Sequence, residues 1–180
     1  MQSVLAWCKG QRQEKAWCLD APLPQQYPQR SPYACMTFNL GPRTVCRSHR
    51  DYMNFAAGWC AVTALGFYDY KKGGQIVFEE LKLIVDFPPG STMFLPSALL
   101  THFNLAVDGE ERRFSIVRYI AGGLFMWVAS GFRTQKQFKA DDPLGKAQFD
   151  AEANVRAGLY ACYFPTKEQV DKLRTVRGYC

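Results

Sequence analysis

Between residues 33 and 121 the chain is built of short apolar runs broken by turn-forming residues. Residues 33–40 (YACMTFNL), 59–70, 75–87, 92–95, 99–107 and 112–121 each read as a strand. Gly41-Pro42, Lys71-Lys72-Gly73-Gly74, Pro88-Pro89-Gly90-Ser91, Pro96 and Asp108-Gly109-Glu110-Glu111 close them off. In 75–87, Ile76 and Phe78 alternate with Val77 and Glu79, and Leu81, Leu83 and Val85 with Lys82 and Ile84. That pattern predicts a hairpin with 59–70 about the Lys-Lys-Gly-Gly turn, one face wetter than the other. Many short strands at this spacing predict a mainly β chain with flanking helices, closed as a double-stranded β-helix, a cupin-like jelly roll.

Either side of this region the pattern changes. Residues 1–20 are mixed and carry Trp7-Cys8 and Trp17-Cys18, where a helix is plausible; residues 21–32 (APLPQQYPQRSP) hold four prolines and read as an extended loop. After Gly122-Gly123, residues 145–159 and 166–176 take up helical spacing, the second with Thr166 as cap and Gln169 three positions on. The expectation is one domain over 1–180, with a core at 33–133, an extension at 1–32 and helices at 134–180 bracing the outside of the barrel.

Composition narrows the class. A length of 180 residues, 48% hydrophobic and 14% aromatic, suits a globular domain with its own core. Lys and Arg exceed Asp and Glu by 22 to 16, a net charge of +6 that is compatible with a polyanionic partner without requiring one. Seven cysteines stand singly, with no C-x-x-C, which excludes a zinc ribbon and a disulfide scaffold and points to reduced thiols. No secretory h-region opens the chain, and the longest apolar run, 120–128, is too short to cross a bilayer. These features predict a nuclear or cytoplasmic protein with no membrane partner; its oligomeric state is open.

Candidate chemistry gathers on the only two histidines, His49 and His102. In Ser48-His49-Arg50-Asp51, an extended backbone turns His49 and Asp51 to one face and Arg50 to the other. A His and a carboxylate projecting together, completed by His102, form a 2-His-1-carboxylate triad that holds Fe(II) with open coordination positions. Their ligating atoms should converge to within about 3–4 Å. Downstream, Arg113 and Ser115 share a strand face, opposite in parity to Arg112 and Arg118. A guanidinium there can grip a carboxylate through two parallel hydrogen bonds. Against this stand plainer roles: a chance H-x-D, a satisfied polar His102, and a solvated loop for the arginines of 43–50.

The segment 46–107, from CRSHRDYMNF through GWCAVTALG and PPGS to the distal His102, followed by ERRFSIVRYIAGGLFMWV, resembles the fungal branch of the TET/JBP-type Fe(II)/2-oxoglutarate dioxygenases. The resemblance spans about residues 33–133. It implies iron on His49, Asp51 and His102, and 2-oxoglutarate on Arg113 with Ser115. It implies O2 as co-reactant and methylated DNA as partner, with the methyl group of a flipped 5-methylcytosine as the site of oxidation. Asn54 falls where relatives contact the cytosine, and Phe38 and Asn39 lie on a strand that could line the same pocket. Independently of the resemblance, Arg43, Arg47 and Arg50, just before the iron site, are candidates to meet substrate phosphates. Where relatives carry a base-contacting histidine about eight positions past the clamp arginine, this chain has Ala121. Two further readings stay open: a 2-oxoglutarate oxygenase acting on RNA, protein or a small molecule, and a catalytically silent jelly-roll module. The module's working surface would be Arg43, Arg47, Arg50, Lys71 and Lys72.

Overall fold

The computed structural model describes residues 31–155, 158 and 165–176; the expectations for 1–20 and nearly all of 21–32 lie outside that range. The described residues fall into two compact units, the first ending at Met126 and the second beginning at Trp127.

All described strands belong to the first unit: β1 (Cys35–Asn39), β2 (Cys60–Phe67), β3 (Ile76–Phe78), β4 (Leu83–Val85), β5 (Thr92–Leu95), β6 (His102–Asn104) and β7 (Arg112–Tyr119). They pair antiparallel as a four-stranded sheet, β1-β7-β2-β5, and a three-stranded sheet, β4-β3-β6. The segment through His49 extends the smaller sheet. His49 forms an antiparallel bridge with His102, each amide donating to the other's carbonyl at 3.1 and 3.0 Å. With it the smaller sheet also has four positions, the two-sheet jelly roll the strand pattern predicts.

Buried Ala64, Leu95, Ile76, Phe78 and Phe87 meet between the sheets, with Val62, Met93, Val85 and Leu100 packed against them. Ala64 and Leu95 come from the larger sheet, Ile76 and Phe78 from the smaller, so the core is the space between the two inner faces.

The expected hairpin of 59–70 with 75–87 does not form. β2 pairs with β5 and β7, and β3 pairs with β4 and β6. At Gly73-Gly74 the chain crosses between sheets rather than folding back. The amide of Gly74 donates to the Leu105 carbonyl at 3.2 Å, and a Cβ on Gly74 would lie 2.5 Å from the Tyr68 ring. Gly74 also has φ +78°, so both space and backbone demand glycine. Residues 75–87 are not one strand either. A turn, with Lys82 at φ +49° and its amide donating to the Glu79 carbonyl, splits them into β3 and β4.

The helices are α1 (Gly122–Ala129), α2 (Gln135–Asp141), α3 (Pro143–Ala151) and α4 (Lys167–Val176). α2 falls within the 134–180 region where helices are expected, though outside the spans 145–159 and 166–176 with helical spacing, and α1 precedes that region. α3 starts two residues before its expected position because Asp142 caps it, accepting from Gly145 N at 2.8 Å, with Pro143 in the first turn. α4 carries the box read from Thr166 and Gln169: Gln169 N donates to Thr166 Oγ1, and Thr166 N to Gln169 Oε1. Among the described residues no helix is long and apolar enough to cross a membrane.

Candidate metal centre and carboxylate clamp

The site lies along one seam, where residues 42–51 run from the larger sheet to the smaller. At the first end Arg113 N donates to the Pro42 carbonyl (2.8 Å) and Thr44 N to the Arg113 carbonyl (3.1 Å). Midway, the Asn104 side chain accepts from Cys46 N (2.9 Å) and donates to the Thr44 carbonyl (3.1 Å). At the far end come the His49–His102 bridge and Asp51 N, which donates to the Ser97 carbonyl at 3.0 Å. Backbone pairing at both ends therefore decides where the side chains of this irregular segment point.

His49, Asp51 and His102 each place a ligating atom within 4.8 Å of the others, somewhat wider than the spacing expected around a bound ion. The two imidazoles lie 4.5 Å apart at 46°, and His49 Nε2 is 3.5 Å from Asp51 Oδ1. His49 Nδ1 is 2.7 Å from the Arg47 carbonyl and His102 Nδ1 is 2.8 Å from the Leu100 carbonyl. A carbonyl oxygen can only accept, so in each ring Nδ1 carries a proton, and it is at Nε2 that the neutral ring presents its lone pair. This is the outer-shell arrangement that fixes the tautomer of a metal-binding imidazole. Burial pushes His102 below the ordinary histidine range, against the Leu100 carbonyl that raises it, and so favours the neutral, ligating form.

Asp51 divides its oxygens. Oδ2 accepts from Asn54 Nδ2 at 3.2 Å, which leaves Oδ1 on the His49 side. The loop after it is anchored: Asn54 N donates to the Asp51 carbonyl, Phe55 N to that of Ile120 and Gly122 N to that of Met53. Buried Phe55 stacks on Phe125 with centroids 4.1 Å apart.

At the other end Arg113 is 2% exposed. Its Nη1 donates to the Thr44 carbonyl (3.2 Å) and hydroxyl (3.3 Å), while buried Nε has no partner. Burial lowers its pKa, countered by Tyr68 and Cys46 beside it. Among the described residues no carboxylate pairs with it. A buried cation with an orphaned donor is costly unless an anion arrives. Tyr68, beside Arg113, donates to the Phe87 carbonyl at 2.5 Å. Burial pushes the Cys46 thiol up, Arg113 draws it down and Asp51 raises it, so Cys46 feels both charges.

Of the remaining candidates, Ser115 is buried and accepts from Asn39 Nδ2 at 2.8 Å, which puts Asn39 beside the clamp strand. Phe38 does not join it. Successive strand residues face opposite ways, so the Asn39–Ser115 pairing turns Phe38 to the outer face, where it is 55% exposed. Arg50 is likewise committed, its Nε donating to Thr101 Oγ1 (2.8 Å) and its Nη2 to Glu80 Oε1 (2.5 Å), so it is held as a brace rather than offered to a phosphate. Asn54 spends its amide nitrogen on Asp51, Ser97 and Cys60 and lines a small cleft with Phe55, Trp59 and Ile120. Thr44, Tyr68, Ser97 and Asn104 carry no motif; they reach the site through contacts between distant parts of the chain.

No family model matches this sequence, and no curated protein matches it. Among solved structures, NgTET1 in complex with 5mC DNA is similar at 16% identity and a TM-score of 0.39, covering 43% of this chain and 28% of that one. The viral collagen prolyl hydroxylase vCPH from Paramecium Bursaria Chlorella virus-1, in its 2OG complex, is similar at 17% and 0.34, covering 49% of this chain and 63% of that one. Both overlaps are partial and loose.

Proposed function

We propose that this chain is an Fe(II)/2-oxoglutarate-dependent dioxygenase. The observation that carries the reading is the joint presence of two imidazoles with Nε2 presented beside Asp51 and a buried, anion-seeking Arg113 on the same seam. Nitrogen and carboxylate donors on one face, with open positions opposite, suit non-haem iron. Bound there, the ion with 2-oxoglutarate and O2 supplies hydroxylation of a C–H bond coupled to decarboxylation to succinate.

The chain's own residues orient and exclude. The Arg47 and Leu100 carbonyls hold Nδ1 of His49 and His102 and turn both Nε2 atoms to the cation, and Asp51 sets Oδ1 beside them. Arg113 receives the far carboxylate of the cosubstrate, which supplies the acceptor its Nε lacks, while Thr44 keeps Nη1 in place. Asn39 and Ser115 bond each other next to it and can turn a hydroxyl to the same carboxylate.

For the substrate we propose the methyl group of 5-methylcytosine in DNA. The sequence resemblance and the net charge of +6 support this reading. Asn54 can still offer Oδ1, which accepts no bond among the described residues, to the cytosine amino group.

The test measures iron-dependent succinate release with methylated DNA, unmethylated DNA, RNA and no prime substrate. Stimulation by methylated DNA, with 5-hydroxymethylcytosine formed, is the expected result. Stimulation by RNA alone reassigns the substrate. No succinate and no metal binding reduce the chain to a jelly-roll binding module.

A further inference from the structure

We infer that Asn54 is a positioning residue that fixes which oxygen of Asp51 faces the metal. This rests on the metal reading above and goes beyond it by giving the residue a task other than contact with a base. Asn54 Nδ2 lies 3.2 Å from Asp51 Oδ2, 3.1 Å from Ser97 Oγ and 3.2 Å from Cys60 Sγ. Ser97 is 2% exposed and Cys60 is 3% exposed, and their Oγ and Sγ are 2.8 Å apart. The amide thus points into a small buried polar cluster, and one of its two hydrogens serves the carboxylate.

The amide also has little freedom to leave. Asn54 bridges Ala121 antiparallel, and its N–H donates to the Asp51 carbonyl at 2.9 Å. Ser97 grips the same loop from the other side, accepting the Asp51 N–H on its carbonyl. An unrestrained carboxylate can rotate either oxygen, or both, toward a cation. With Oδ2 held by Asn54, Oδ1 is left on the side of His49 Nε2, at 3.5 Å. The loop after Asp51 therefore acts as a template for monodentate ligation, at the cost of using the amide donor that would otherwise meet a base.

Co(II) binding by the full chain tests this, using titration and the visible d–d spectrum, alongside the thermal midpoint of the metal-free protein. Asn54→Leu keeps the volume and removes the amide, and Asn54→Ala serves if the larger side chain disturbs folding. Both should bind Co(II) about 10–100-fold more weakly, the usual cost of losing an outer-shell partner. The spectrum should shift and the metal-free midpoint should stay near that of the parent. Ser97→Ala leaves the Asn54–Asp51 bond in place and should lose less. Parent-like affinity and spectrum in both Asn54 variants overturn the inference while leaving the metal site standing. An equal loss in Ser97→Ala overturns it in favour of general disruption of the cluster. Failure of the unaltered chain to bind one equivalent of Co(II) overturns the metal reading itself, and this inference with it.

Discussion

Around His49 and His102 the ring nitrogens turned away from the metal position each meet a backbone carbonyl, and Asp51 has one oxygen bonded to Asn54; around Arg113, buried Nε meets nothing. One end of the seam is finished by the protein, while at the other a buried donor has no partner among the described residues, a place the proposed function assigns to the cosubstrate. The difference is physical. Imidazole needs its second nitrogen satisfied to present the first, and a carbonyl two residues back does so locally. A guanidinium has five donors in a rigid fork, and leaving part of it unmet makes it selective for a ligand that brings two oxygens.

The largest effect that separates the two ends is expected from His102→Ala. Removing a ligand should weaken metal binding by at least about 100-fold, beyond the usual loss for an outer-shell partner, and should abolish succinate formation. Unchanged metal affinity in that variant would remove the distinction between the ends. Arg113→Lys probes the other end. It keeps the charge but loses the fork, so 2-oxoglutarate affinity should fall about 10–100-fold, the equivalent of about 1.5–3 kcal/mol for bonds to a charged group. Metal affinity measured without cosubstrate should hold.

Gly66→Ala asks whether the clamp depends on the backbone beneath it. Gly66 pairs with Arg113 at φ +120°, and a Cβ there would lie 2.1 Å from the Arg112 carbonyl oxygen. Strain of about 1–3 kcal/mol should lower the thermal midpoint and weaken 2-oxoglutarate more than metal.

The smallest effect concerns Glu80, which braces the metal end. Thr101's hydroxyl, together with backbone donors and Arg50, brings its carboxyl down to about 2 from an ordinary 4.5. A lowered folded value means the stabilising contribution is complete above pH 4.5 and disappears as the pH falls through about 2. The stability gap between the parent and Glu80→Ala, read by urea unfolding, should therefore be present at pH 6 and vanish near pH 2. A gap independent of pH would mean that Glu80 acts through packing instead.

Parts of this site are legible in the chain because they depend on local geometry. Strand parity alone puts Arg113 with Ser115 and against Arg112 and Arg118, and the fold keeps that order, with Arg113 and Ser115 buried and Arg112 exposed. The Thr166–Gln169 box likewise needs only spacing. The turn at Gly73-Gly74 was legible as a turn but not as a crossing between sheets, because a hairpin and a crossover use the same local residues.

The sequence by itself determined the strand-rich pattern, the two histidines and the shared faces. Which face became the interior, only the tertiary structure decided. In β6 a local rule would bury Phe103, yet His102 and Asn104 lie on the face of Phe78 and Ile76, opposite them in the sheet. In β7 it would bury Phe114, yet Arg113 and Ser115 are the buried pair. Parity fixes relative orientation within a strand, but the sign is set by the partners across the sheet and by the segment 42–51 laid over its end. Asn54, Ser97 and Thr44 acquire their roles the same way, through neighbours that are close only once the chain has closed on itself.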